Sequence, residues 1–288
     1  MDAYLGLDLG TTSLKALVVD LCGKPLHSLS HPLSLIARQP AWAEQDPTQW
    51  VKAAESVLAS LPKKYRIRRL GLSGQMHSLV PLDAAGQVIR PARLWCDQRT
   101  TDQCRRATEI LGGEKRVLGL VGNPIYEGFT LGKILWLREH EPENFARMKN
   151  FMLPKDHLAF WLKGEMGIDY SDASGTGAFD VMAGRWSREV LEALGLPDSL
   201  FPKVQSSETT RGRLKKELAS RFGLDEIEVA AGAADNAASA LGVGLLRPGK
   251  VMVSVGTSGT VVAATEDGEH DPTGRLHLFS HAAPGQRY

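Results

Sequence analysis

Apolar and polar residues alternate from Tyr4 to Gly10, and Leu14 to Asp20 reads as a second strand. A period of two predicts strands with one buried face. Cys22-Gly-Lys-Pro25 is a turn, and Pro25 to Leu35 reads as a third strand, so the chain opens as a β-meander. The period then changes. Trp50, Val51, Ala54, Val57, Leu58 and Leu61 fall on one face of a helix, with Asp46 as its N-cap and Pro47 in its first turn. Arg68 to Ser73 predicts a strand of the parallel type. Asp83 to Gln87 is a hairpin turn, and Val88 to Trp95 is extended but interrupted by Pro91. Helices are expected over 98–112, 129–139 and Leu153 to Lys163, the last stopped by Gly164. Ser187 is expected to cap a helix to Leu194, and 211–223 reads as a basic amphipathic helix. Ile227 to Ala231 is a short apolar strand, followed by a sharp turn at Gly232 and a small-residue helix after Asp235. Lys250 to Gly256 and Thr260 to Ala264 form a last hairpin. Strands alternating with helices in this way predict an α/β fold.

Composition adds mainly exclusions. Of 288 residues, 43% are hydrophobic and 23% charged, the balance of a soluble globular chain. A net charge of +1 gives no pull toward nucleic acid or an anionic membrane. No apolar run approaches the roughly 20 residues that span a bilayer, and no basic, apolar leader opens the chain. Cys22, Cys96 and Cys104 are few and badly spaced for a metal knot, so a reduced, cytoplasmic setting is expected.

Candidate chemistry collects where strands end. Asp235 lies at a strand-to-helix junction, where orphan N–H groups and the helix dipole are expected to favour its ionised form. It reads either as a base for a hydroxyl proton or as a plain N-cap. Gly10-Thr11-Thr12 tips the first hairpin and offers N–H groups and hydroxyls to a phosphate; the alternative is a tight turn capped by threonines. Asp8 beside it is placed to hold hydrated Mg²⁺. Met76 and His77 follow a strand end, as pocket-lining groups do in α/β sheets, or form a core Met and a surface His. Trp95, Asp97 and Arg99 suit a polyol, or Asp97 and Arg99 form a loop salt bridge. Asp169 to Thr176 is a small, polar loop that reads as a connection, with close approach to a ligand as the alternative. Val255-Gly256-Thr257-Ser258-Gly259 repeats the strand–Gly-Thr turn of the first hairpin, which suggests two related lobes facing one cleft.

Leu7-Asp-Leu-Gly-Thr-Thr-Ser13, Trp42-Ala-Glu-Gln-Asp-Pro47, Gly74-Gln-Met-His77, Trp95-Cys-Asp-Gln-Arg99, Leu153-Pro-Lys-Asp156, Ser171-Asp-Ala-Ser-Gly-Thr176, Ala234-Asp-Asn-Ala237 and Gly256-Thr-Ser-Gly259 resemble, in order and over nearly the whole chain, the FGGY carbohydrate kinases. The Gly-Gln-Met-His form resembles the xylulokinase branch, and Met76-His77 stand where glycerol kinases carry Arg-Glu. The resemblance implies an actin-like, ribonuclease-H-like two-lobed fold with ATP and Mg²⁺ in the cleft. It implies Asp235 as general base, Asp8 near Mg²⁺ and the transferred phosphoryl, and Gly10-Thr11-Thr12 with Gly256-Thr257-Ser258-Gly259 as phosphate hairpins. Met76, His77, Trp95, Asp97, Asp235 and Asn236 are the implied sugar contacts. The implied reaction is ATP-dependent phosphorylation of a ketopentose, D-xylulose to D-xylulose 5-phosphate.

Residues 1–244 are expected to form the sugar-binding lobe and 245–288 only the beginning of an ATP-binding lobe, since a second domain takes on the order of 100 residues. Strands left unsupported there expose edges and invite a homodimer. A kinase for another ketose or polyol, a sugar-binding lobe without catalysis, and a non-kinase ATPase of the actin-like superfold stay open as alternatives.

Overall fold

The computed structural model describes residues 1–255, 259–265 and 270–288. Strands β1 (Asp2–Leu9), β2 (Ser13–Val19) and β3 (Pro25–Pro32) form the expected meander. β1 also pairs in parallel with β4 (Arg66–Gly74). Further out lie β5 (Thr210–Arg213) and β6 (Glu228–Ala230), and the sheet runs in the order β5-β6-β4-β1-β2-β3. The two residues of β7 (Ala233–Ala234) pair with the end of β4.

One face of this sheet carries the core. Leu5, Leu7 and Leu9 alternate inward and are buried with Ile67, Leu70 and Leu72 of β4. Helix α1 (Pro47–Ala59) covers them with Trp50, Ala53, Ala54, Val57 and Leu58. Asp46 caps it as expected, accepting from the Thr48 N–H at 2.9 Å. On the other face Gly6 and Gly71 pair side by side and leave a trough of about 750 Å³, lined also by Asp8, Lys15, Leu17 and Ser73.

Between β4 and β5 the chain builds a second, mostly helical core from α2 (Thr101–Ile110), α3 (Glu114–Val121), α4 (Thr130–His140), α5 (Pro142–Arg147), α6 (Pro154–Lys163), α7 (Tyr170–Ser174) and α8 (Arg188–Ala193). α4 is buried from Thr130 through Leu137, around its whole circumference, which hides its helical period. α6 ends where expected, with Gly164 in the left-handed conformation. α3 and α5 are additions to the expected elements.

Other expectations are corrected. Residues 211–223 are not one helix: β5 ends at Arg213 and α9 spans only Lys216–Phe222. Gly212 at φ +106° belongs to a conformation no helix uses. The 88–95 run pairs as a strand only at Ala92–Arg93. Ser187 stands at the N-cap of α8 without capping it. Asp169 to Thr176 is not a surface connection. Asp169 caps α7 through the N–H groups of Ser171 and Asp172, and the segment is wholly buried except for Tyr170.

That segment meets Lys155 of α6. The Lys155 ammonium lies 2.7 Å from Asp156, 3.1 Å from Asp169 and 3.3 Å from Asp172, all four side chains fully buried. Burial alone pushes an aspartate upward. For Asp169, Lys155 and the Ser171 and Ser207 hydroxyls outweigh it, and its carboxyl is held below the usual range. Burial, with Asp156 and Asp169 close by, drives Asp172 well above that range.

Helix α10 (Asp235–Gly242) follows β7, and hairpin β8 (Val251–Val255) and β9 (Gly259–Ala263) follows α10. The last described stretch folds back onto the first part of the chain. Phe279, Ala282 and Tyr288 join Met76, Phe129 and the alanines of β7 and α10 in a third, small core. Among the described residues no helix is long and apolar enough to cross a membrane.

The charge arrangement separates Lys155 from Asp172. Lys155→Met leaves ionised Asp169 buried without its cation and is expected to lose about 3–5 kcal/mol of stability. Asp172→Asn replaces a carboxyl whose charged form burial and its neighbours already disfavour, and is expected to stay within about 1 kcal/mol. Urea unfolding of the two variants checks both.

Candidate active site

The carboxyl ends of β1, β4 and β7 stand at one level. Asp8 pairs with Ser73, and Ser73 with Ala233, two residues before Asp235. Ser73 Oγ donates to Asp8 Oδ1 at 2.7 Å. Gly232 makes the approach possible. Its φ is +78°, and a Cβ there would lie 2.2 Å from the Leu72 carbonyl oxygen, so no side chain fits.

Asp235 is half-buried at the first position of α10, and its Oδ1 accepts from the Asn236 N–H at 2.7 Å. The expectation of a carboxyl held ionised by the helix end is corrected. Burial, aided by the charge of Asp8, raises Asp235 to about 6 against the pull of that one N–H. It is not the cap either: Ala234 holds the N-cap position, and no side chain caps the helix.

Met76 and His77 leave β4 in a tight turn. The Ser78 N–H donates to Met76 O at 2.8 Å across His77, whose φ is +64°. Such a γ-turn at positive φ is rare and strained. Neighbouring groups hold it. Thr130 Oγ1 donates to His77 O at 3.0 Å, and the ring stacks on Phe129 at 4.6 Å. His77 Nδ1 lies 2.6 Å from Gly175 O. A carbonyl only accepts, so Nδ1 carries the proton and Nε2 is left as an acceptor. Burial lowers His77 to about 3 and keeps it neutral. Gly175 is necessary for this contact, because a Cβ there would lie 2.6 Å from the ring. Met76 is buried, and Asn236 Nδ2 reaches its sulfur at 3.7 Å. Two motifs far apart in sequence, Gln-Met-His and Asp-Asn, therefore meet.

The first hairpin tip is braced from below. Thr11 Oγ1 donates to Gln75 Oε1 at 3.2 Å and accepts from Trp95 Nε1 at 2.9 Å. Gln45 Nε2 donates to Thr11 O at 2.7 Å, and Gln45 Oε1 accepts from Gln75 and Trp50. Gly10 N–H donates to Ser13 O at 3.0 Å and closes the turn. The Thr11 hydroxyl is thus engaged within the protein, and the exposed side chain at the tip is Thr12. Of the second hairpin, Gly256, Thr257 and Ser258 lie outside the described residues, and Gly259 opens β9.

Trp95 is exposed, but Asp97 is not a neighbour of open space. Its oxygens accept from the Ala43 N–H at 2.8 Å and from Arg99 at 2.6 and 2.8 Å, in full burial. Of the two readings of this pair, the geometry is that of the salt bridge. Arg99 also meets Glu44 at 2.9 Å and lies on the Trp42 ring at 3.5 Å. Arg93 lies on Trp136 at 3.7 Å, and burial lowers it to about 9. The two tryptophan-bearing motifs build this buried ionic wall behind the hairpin tip.

Several residues were missing from the expected site. Phe129 and Phe279 pack on His77, and His277 stacks on Phe279 at 5.5 Å. Lys133 fixes the Phe129 loop by donating to the carbonyls of Glu127, Gly128 and Phe129. The aromatic run Ile125–Phe129, which has no helical or strand period, was the signal available.

The sequence description of the N-terminal domain of the FGGY family of carbohydrate kinases matches residues 3–242. This chain belongs to the FGGY family. A xylulose kinase of Lactococcus lactis is 42% identical over the whole chain, which spans 58% of that relative. A xylulose kinase of Escherichia coli K12 is 37% identical over 98% of the chain, again at 58% of its own length. The crystal structure of xylulose kinase from Rhodospirillum rubrum superposes with a TM-score of 0.93 at 30% identity, covering 99% of this chain and 59% of that one. The expected FGGY fold is thereby found for this chain, which spans little more than half of the relatives it matches.

For this FGGY chain, ¹⁵N titration is expected to find the His77 imidazole as the neutral Nδ1–H form down to about pH 4. The unfolded chain takes up that proton near the ordinary histidine value, so His77 draws stability away as pH falls from 6.5 toward 3. Gly175→Ala displaces the ring, and its expected signature is a return of the titration toward 6.5.

Proposed function

We infer that this chain carries the sugar-binding and proton-accepting half of an ATP-dependent ketopentose kinase, with D-xylulose as the acceptor and D-xylulose 5-phosphate as the product. The observation that carries the reading is the meeting of Met76-His77 with Asp235-Asn236 at the carboxyl ends of three strands. A neutral imidazole with an open Nε2 suits a sugar hydroxyl as donor. Asp235, next to the Asn236 that reaches Met76, has its carboxyl near 6, a value fit to take a hydroxyl proton at neutral pH. The names of the relatives point the same way.

In this reading Asp235 accepts the proton of the terminal hydroxyl. The oxygen attacks the γ-phosphoryl of ATP in line, and the bond to ADP breaks. His77, Met76 and Asn236 orient the pentulose, with Trp95 at the rim. Orientation and charge stabilisation do most of the work in such a transfer. The N–H groups of Thr11 and Thr12 are assigned to the phosphates; Gly256, Thr257 and Ser258, the other implied phosphate contacts, lie outside the described residues. Asp8 and Ser73 form an oxygen-only donor set that fits Mg²⁺, the hard cation that compensates charge on phosphate oxygens. We place the start of an ATP-binding lobe near residue 245, after α10. Val251, Val253, Val255 and Val261 are exposed on the hairpin that follows, an apolar ridge suited to further strands or to a second copy.

Calorimetry with D-xylulose, D-ribulose, glycerol and xylitol tests the acceptor. Binding of D-xylulose by this chain, lost in Asp235→Ala and His77→Ala, is the expected result. A preference for another member of the panel reassigns the substrate, and no heat from folded protein removes the pocket from these residues. In an ATP-coupled assay, turnover is expected to fall about tenfold per pH unit below about 6, as Asp235 gains its proton, and to level off above. Asp235→Asn is expected to fold normally and lose most turnover; near-native turnover would remove it as the base.

A further inference from the structure

The approach to Asp235 has little local support. β7 is two residues long, and α10 starts on an alanine that cannot cap it. What holds residues 231–234 is the buried cluster behind them. Lys155 Nζ donates to Ala231 O at 3.3 Å. The Gly232 N–H donates to Ser207 O at 3.0 Å. The Ala234 N–H donates to Ser171 Oγ at 2.9 Å. These three anchors converge on one carboxylate. Asp169 accepts from Ser171 Oγ at 2.5 Å and from Ser207 Oγ at 2.8 Å on one oxygen, and meets Lys155 at 3.1 Å with the other. The segment is held before the glycine turn, at it and after it, and the last anchor falls on the residue that precedes Asp235.

We propose that Lys155, Asp169 and Ser171 are positioning residues that set where the Asp235 carboxyl stands, through the bond from Ser171 to the Ala234 N–H. The Ser171 hydroxyl gives its proton to an ionised carboxylate, so its oxygen is a strong acceptor for that N–H. It does from a distance what an N-cap side chain does locally: it satisfies an N–H at a helix entry and fixes the angle at which the helix begins. The functional weight of this placement rests on Asp235 acting in the pentulose reaction; the placement itself does not.

The test uses this chain as it stands, with Ser171→Ala, Ser171→Thr and Ser207→Ala. Amide hydrogen exchange, the thermal midpoint and D-xylulose affinity by calorimetry are read together. For Ser171→Ala the expected result is exchange about tenfold faster at residues 233–236 and affinity about tenfold weaker, with amides of β4 and α6 unchanged. Ser171→Thr, which keeps the hydroxyl, is expected to restore both. Ser207→Ala, which leaves the anchor on Ala234 intact, is expected to stay within about twofold. Ala234→Pro removes the same N–H from the other side at a φ of −50° that suits proline, and is expected to loosen Asp235 and Asn236 and weaken affinity as Ser171→Ala does. Unchanged exchange and affinity in a folded Ser171→Ala chain would overturn the proposal. So would a rise in exchange spread evenly over the sheet with a falling midpoint, the mark of a purely structural part. If the unaltered chain binds no D-xylulose, the pentulose reading fails alone, and the exchange at 233–236 still decides the anchor.

Discussion

Lys155 stands among three aspartates, and none of the four side chains is exposed. Taking charges out of water carries a cost of several kcal/mol per ion, and attraction offsets it only where partners are close and further hydrogen bonds are made. The cluster meets that condition unevenly. Asp169 gathers the ammonium, two hydroxyls and two backbone N–H groups, and stays ionised. Asp172, fully buried and beside other carboxyls, is driven well above the usual carboxylate range. An arrangement this demanding has few alternative geometries. It joins α6, α7 and the strand that leads to Asp235, and so ties the sheet core to the helical core at the level where the site lies.

The sequence was most legible where one physical rule governs a stretch. Period-two alternation placed β1, because one face of it is covered and the other is open. Asp46-Pro47 placed the start of α1, and Gly232 placed a turn that a Cβ would destroy. It was least legible where a residue type serves two environments. Ser171, Asp172, Ser174 and Thr176 read as a polar connection, since nothing local in a run of small polar residues tells whether partners will arrive from elsewhere in the chain. Here those partners are Lys155 and Ser207, distant in sequence. The basic run at 211–223 failed for a related reason. Charged side chains report a solvated face, and such a face belongs equally to an edge strand and to a short helix.

The motifs divided in the same way. Gly74-Gln-Met-His77 and Ala234-Asp-Asn-Ala237 come together through Met76 and Asn236. The tryptophan motifs did not supply a polyol wall beyond the exposed Trp95. Trp42, Glu44, Asp97 and Arg99 satisfy one another in the interior. His77 is held more elaborately than any of them: a strained turn is kept at positive φ, a ring is stacked, and a glycine is left bare so that the ring can approach a carbonyl.

His77 and Asp235 show how one cause produces two complementary groups. Burial disfavours charge whatever its sign. For the imidazole it removes the proton, and Gly175 O decides which nitrogen keeps the one that remains. For the carboxyl it restores a proton, and the neighbouring charge of Asp8 works in the same direction. The histidine is thereby made indifferent to pH through the physiological range, and the aspartate sensitive to it. The two carboxyls influence each other because both rise from one level of the sheet: a negative charge at Asp8 raises Asp235, and a positive charge there would lower it.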